Sequence, residues 1–186
     1  HEIFLRELIS NGTDATSKLK HLISIGEAKT ELGDAKIEII LDKKANTLTI
    51  KDKGLGMTAD EVEKYINQIA FSGAEEFLDK YKDNEAGIIG HFGLGFYSAF
   101  MVADKVEIIT KSFKDESAAH WTCDGSPEYT LVENDKTDRG TEIILHVAED
   151  SLDFLEESKI RELLMKYNKF MPIPIKFGTR KEKIEQ

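Results

Sequence analysis

The feature that most constrains the fold is a change of hydrophobic period just after Gly26. Before it, Phe4, Leu8, Ala15, Leu19 and Leu22 follow one another at spacings of 4, 7, 4 and 3. That is one face of an α-helix over residues 2–25, which Gly26 ends. After it, apolar residues recur at every second position, as half-buried strands require, in residues 36–41 and 47–51. The polar turn at 42–46 joins these two as an antiparallel hairpin. Thr58 and Glu61 form a capping-box signature for a helix reaching about residue 70. Residues 72–96 hold five glycines, at 73, 87, 90, 93 and 95, and read as a mobile lid that closes into another helix near Ala103. Strand patterns return at 105–111, 118–124, 129–132 and 141–147. Within them, Trp121 and Cys123 read as a core and a surface residue. A long amphipathic helix is expected over 152–170, with Leu152, Leu155, Ile160, Leu163, Leu164 and Tyr167 facing the sheet. The proline-bearing run 172–177 suits an edge strand. Early helices and clustered late strands predict an α/β (α+β) two-layer sandwich, a mostly antiparallel sheet with helices packed on one face.

A chain of 186 residues fits one domain with a core of its own. We expect that domain to occupy residues 1–178, with the polar end 179–186 starting a linker to a further domain. The chain opens at His1 without a leader and reads as a piece of something longer. With 40% hydrophobic and 32% charged residues, and no apolar run approaching the ~20 residues of a membrane span, no membrane partner is expected. The net charge of −10 argues against a phosphate-backbone binder, which needs clustered Lys and Arg, so nucleic acid is not an expected partner. A small phosphorylated ligand is still allowed, because backbone N–H groups and a bound metal can neutralise it locally. The single cysteine, Cys123, suits a reducing compartment, and the expected location is cytoplasmic. The histidines at 1, 21, 120 and 146 lack metal-ligand spacing.

Four short segments carry chemistry. On the first helix Glu7, Asn11, Asp14 and Lys18 form a narrow polar stripe roughly 90° from the centre of the apolar arc, while Arg6, Thr13 and Lys20 point to solvent. The stripe reads as a pocket wall or as a ladder of i,i+4 pairs. At the end of the second strand Asp52 precedes Gly54 and Gly56, which let backbone approach a ligand, with Met57 beyond. A carboxylate only accepts hydrogen bonds, so it can take the amino protons of adenine and rejects the carbonyl of guanine. Alone, this pattern is also a tight turn. The run Gly90, His91, Phe92, Gly93, Leu94, Gly95, Phe96, Tyr97, Ser98 sets glycines ahead of a helix, where free N–H groups favour phosphate. It is neither a dinucleotide fingerprint nor a Walker-type loop, since Ser98 stands where a third glycine belongs and no G-x-x-x-x-G-K-[ST] run exists. Finally Asp138, Arg139, Gly140 and Thr141 enter a strand, offering either a simple turn or a hydroxyl that joins the base directly or through water.

Taken in this order and spacing, the segments resemble the ATPase superfamily of DNA gyrase, the mismatch-repair protein MutL, histidine kinases and the 90-kDa heat-shock chaperones. Residues 2–11, with Glu2, Phe4, Arg6, Glu7, Ser10 and Asn11, and residues 93–98, from Gly93 to Ser98, look most like the chaperones, in their bacterial branch. The resemblance covers essentially the whole chain and implies a Bergerat-type ATP-binding fold binding ATP or ADP with Mg²⁺. By the same resemblance, Glu7 is the general base that activates water and Asn11 ligates Mg²⁺. Asp52 reads adenine, with Gly56 and Thr141 completing the bonds through water. Asp14, Met57 and Phe96 take pocket positions, and the backbone around Gly90, Phe92, Gly93 and Gly95 cradles the phosphates.

Departures are visible as well. Phe71 stands where many members carry a lysine near the nucleotide, Tyr65 where some carry asparagine, His91 replaces a usual glutamine, and Gly12 with Thr13 replaces Ala-Ser. The family also implies client proteins, a homodimer, an N-terminal strand and helix ahead of His1, and an arginine supplied by a following domain. Hydrolysis by this chain in isolation is therefore expected to be weak or absent. The rivals are a DNA-acting ATPase of gyrase or MutL type, against which the acidic charge weighs, and a histidine kinase, whose first motif usually carries Asn where Glu7 stands. A third is a nucleotide sensor that does not hydrolyse.

Overall fold

The computed structural model describes residues 2–64, 96–126, 128–168 and 173–179. Helix α1 spans Ile3–Ser24 and ends where the Ile25 and Gly26 N–H groups turn back to the His21 and Ile23 carbonyls. Strands β1 (Ile37–Asp42) and β2 (Thr47–Asp52) form the expected antiparallel hairpin. Its turn is held by the Ala45 N–H donating to Asp42 Oδ1 at 3.0 Å. Thr58 caps the short helix α2 (Ala59–Val62) with both bonds of the capping box in place. The expected continuation to residue 70 lies outside the described residues. After a 3₁₀ turn at Ser98–Met101 come β3 (Ala103–Lys111), β4 (Ala118–Cys123), β5 (Tyr129–Asn134) and β6 (Gly140–Val147). A second 3₁₀ segment (Glu149–Leu155), helix α3 (Glu157–Asn168) and β7 (Ile175–Thr179) follow among the described residues.

The strands form one sheet of order β5-β4-β3-β6-β2-β1-β7, antiparallel except for the edge pair β1 and β7. Register explains why one face is buried. Leu131, Trp121, Ile108, Ile143, Ile50, Ile39 and Phe177 stand side by side across all seven strands. Two residues along, Tyr129, Cys123, Val106, Leu145, Leu48 and Leu41 form a second apolar row on the same face. Phe4, Leu5, Leu8 and Ile9 of α1 and Ile160, Leu163 and Leu164 of α3 join these rows in one core. Phe4 meets Phe154 edge-on at 5.0 Å, and Phe96 meets Trp121 edge-on at 5.7 Å. The opposite face is mixed and partly solvated, with His120, Ile109, Glu142, Lys51 and Glu38 in its central row. This is the two-layer α/β architecture that the sequence predicts. No described helix is long and apolar enough to cross a membrane.

Several local expectations are corrected. The helix anticipated near Ala103 is present at Phe96 and Tyr97, which are helical and run into the 3₁₀ turn Ser98–Met101; it ends there because Ala103 already pairs with Val147 as the start of β3. The helix expected over 152–170 is two elements: Glu156 is extended, at φ −83° and ψ 126°, and separates the 3₁₀ segment from α3. Leu152 is consequently exposed, whereas Phe154 and Leu155 are buried. Cys123 is buried together with Trp121, since residues two apart on a strand share a face. β7 starts later than expected and runs through Gly178 to Thr179, so the polar end begins inside a strand. Thr13 is buried, although it was expected at the surface. A threonine methyl packs like an apolar group, and in a helix the hydroxyl can bond back one turn, as Thr16 does to the Gly12 carbonyl at 2.8 Å.

Candidate functional site

Two residues beyond the isoleucine row, the core-facing side of the sheet turns polar. Thr110 of β3, Thr141 of β6 and Asp52 of β2 stand in adjacent register there, at 0%, 4% and 8% exposure. Asp52 Oδ1 accepts the Gly54 N–H at 2.9 Å, and the backbone N–H of Thr141 also bonds its carboxylate. Burial pushes the Asp52 carboxyl up to about 7, even though these two bonds and the charges of Lys136 and Arg139 pull it down. A strand residue this well covered, kept as an acid, is a functional-site signature.

Helix α1, which meets Asp52 at Gly12, carries a second polar set. Glu7 and Asn11, one turn apart, are buried, and their oxygens Oε2 and Oδ1 are shielded from solvent. Asp14 is half-buried, and burial raises its pKa against the opposing pull of Lys18. Lys18, Arg6 and Lys20 are exposed. The stripe therefore grades from a buried end at Glu7 to a solvated end at Lys18. Gly12 is what lets α1 lie against β2 at the acid. A Cβ there would stand 2.9 Å from Ile37 Cδ1, 3.2 Å from Asp52 Cβ and 3.4 Å from Asp52 Oδ2.

The turn after β2 closes the third side. The Leu55 N–H donates to the Ala15 carbonyl at 3.2 Å, and the Phe113 N–H to the Leu55 carbonyl at 2.9 Å. Gly56 sits at φ 66°, where a Cβ would run into the Lys111 carbonyl, so both conformation and space demand glycine. Met57 follows, packed against the core, and its N–H donates to Thr110 Oγ1 at 2.9 Å. Arg139 anchors this corner from behind. Its guanidinium donates to the carbonyls of Lys53, Glu31 and Leu32 and to Thr30 Oγ1 at 3.0–3.2 Å, tying the loop after α1 to the end of β2.

Of the residues singled out in the sequence, Glu7, Asn11, Asp14, Asp52, Gly56, Met57 and Thr141 lie on three elements that meet around Asp52: α1, the sheet at β2 and β6, and the turn after β2. Phe96 is buried in the core, its ring edge-on to Trp121 and Phe100. Gly90, Phe92, Gly93 and Gly95 lie outside the described residues, as do Tyr65, Phe71, His91 and the expected lid up to residue 95. Sequence reasoning missed Thr110. Its signal was a hydroxyl on the buried phase of a strand, two positions after Ile108. It also missed that His120 and His146 converge on Glu107, at 2.8 and 2.6 Å, on the sheet's other face.

Chemically, a buried acceptor beside a hydroxyl suits the hydrogen-bonding edge of a flat heterocycle. Glu7 and Asn11 supply only oxygen donors, the ligand class of a hard cation such as Mg²⁺, so the residues present fit that ion.

Comparison with known proteins places these observations. The sequence profile described as histidine kinase-, DNA gyrase B- and HSP90-like ATPase matches residues 2–148. A protein of Bacteroides thetaiotaomicron named "Chaperone protein HtpG" is 64% identical over 183 residues, covering 98% of this chain and 27% of the relative. Proteins of the same name from Porphyromonas gingivalis and Cronobacter sakazakii are 60% and 43% identical, each over 98% of this chain and over 27% and 30% of their own length. The chain thus spans little more than a quarter of the length of these relatives.

Proposed function

The chain belongs to the histidine kinase-, DNA gyrase B- and HSP90-like ATPase family, and from that premise we propose that it is the adenine-nucleotide-binding part of an ATP-dependent molecular chaperone. The observation that carries the reading is Asp52. It is an acid kept buried at the end of an apolar sheet face, beside Thr141 and against α1 at Gly12, next in sequence to Asn11. In this reading the Asp52 carboxylate accepts the amino protons of adenine, Thr141 and the Gly56 backbone complete the base contacts, directly or through water, and Asp14, Met57 and Phe96 flank the base. The backbone around Gly90, Phe92, Gly93 and Gly95 cradles the phosphates. Asn11 supplies a side-chain oxygen to Mg²⁺, which offsets phosphate charge when bound with the nucleotide.

Glu7 is the general base. It takes the proton of the attacking water as that oxygen bonds the γ-phosphorus and ADP leaves. The relatives' name, a chaperone, favours that reading over a DNA-acting ATPase; in our reading the protein acts on client proteins as a homodimer in the cytoplasm. In this reading a protein of the relatives' length supplies what turnover needs beyond this domain. In a protein of the relatives' length containing this chain, Glu7→Ala should lower kcat by at least ~100-fold and change ADP affinity by less than about threefold. Near-normal turnover by that variant would remove Glu7 from the mechanism.

A further inference from the structure

The hydrogen bonds around Thr110 fix a direction. The Met57 N–H can only donate, so it occupies a lone pair of Thr110 Oγ1, at 2.9 Å. The other partner of that oxygen is Thr141 Oγ1, at 2.8 Å. Thr110 is fully buried, and among the described residues its hydroxyl hydrogen has Thr141 Oγ1 as its acceptor. Thr141 therefore accepts from Thr110 and keeps its own hydrogen to donate elsewhere. Beside it in the register stands Asp52, whose ionised carboxylate only accepts.

We propose that Thr110 is a positioning residue for base selection, which holds the Thr141 hydroxyl as a donor next to the Asp52 acceptor. The proposal rests on the adenine reading given above. An acceptor beside a donor matches the adenine edge, whose amino group donates and whose N1 accepts. Hypoxanthine presents the reverse, a carbonyl acceptor beside an N1–H donor. Thr141 acts directly, or into a bridging water that accepts its hydrogen and turns its own to the base. Without Thr110 the Thr141 hydroxyl rotates freely, and the polarity of the pair is no longer set.

The test is titration of Mg²⁺ADP and Mg²⁺IDP into the chain and its Thr110→Val and Thr110→Ser variants, with circular dichroism to verify folding. Wild type should prefer ADP. Thr110→Val should narrow the ADP to IDP preference by roughly tenfold, and Thr110→Ser, which keeps the hydroxyl, should restore it. If Thr110→Val disrupts the fold, Thr110→Cys takes its place, keeping a side chain of similar size with only a weak donor. Equal loss of both nucleotides would mean a purely structural role and would overturn the proposal, as would an unchanged ratio. Failure of the wild type to bind ADP would instead sink the adenine reading itself, and the proposal with it.

Discussion

At the scale of single residues, a carboxyl group enclosed by two strands and a helix is costly to ionise, and Asp52 carries that cost. Its ordinary value is 3.8 and its folded value about 7. Between those values the folded chain keeps a proton that the unfolded chain has released, so stability falls as pH rises through this window. Above about pH 7 the full penalty applies, on the order of 4 kcal/mol. Asp52→Asn removes the ionisation and should melt several degrees above wild type at pH 8, with the gap closing toward pH 4. A variant that melts lower than wild type at pH 8 would show that Asp52 does not bear this cost. Asp52 was legible in the sequence because it ends a strand ahead of two glycines. Thr110 was not, because a threonine in a strand is ordinary. Only the register that sets it between Ile108's row and Thr141 gives it a role.

At the scale of elements, alternation in the sequence fixes which face a residue takes but not which strand lies beside it. The hairpin of β1 and β2 was readable because its turn is short and polar. The parallel pairing of β7 with β1 was not, because its partner lies far back in the chain and no local signal names it. The broken helix at Glu156 was hidden for a related reason. No Gly or Pro marks the break, and the burial of Phe154 and Leu155 against the core decides it. Caps are local chemistry and were legible. Thr58 Oγ1 accepts the Glu61 N–H at 3.2 Å while Glu61 Oε1 accepts the Thr58 N–H at 3.0 Å, so each residue satisfies the other's backbone. Thr58→Ala should therefore cost about 1 kcal/mol, read as a lower urea midpoint at unchanged m-value. An unchanged midpoint would mean that the cap does not hold α2 in solution.

At the scale of the whole molecule, the proposed site draws on residues far apart in sequence: Glu7 and Asn11 on the first helix, Asp52 on β2 and Thr141 on β6. The motifs were legible one by one, each with an ordinary structural reading beside the functional one. Their convergence needs the sheet order, in which β6 lies between β3 and β2 and so brings Thr141 next to Asp52. Gly12 then allows α1 to close on that corner. The chain spans about a quarter of the relatives' length, so nucleotide binding is the activity to measure on the chain itself. Calorimetric titration of Mg²⁺ADP into the wild type and Asp52→Asn, with Mg²⁺GDP as control, addresses the central claim most directly. The account predicts saturable ADP binding to the wild type, weakening by roughly 100-fold in Asp52→Asn, and no binding of GDP. Equal affinity for ADP and GDP, or undiminished ADP binding by a folded Asp52→Asn variant, would contradict it.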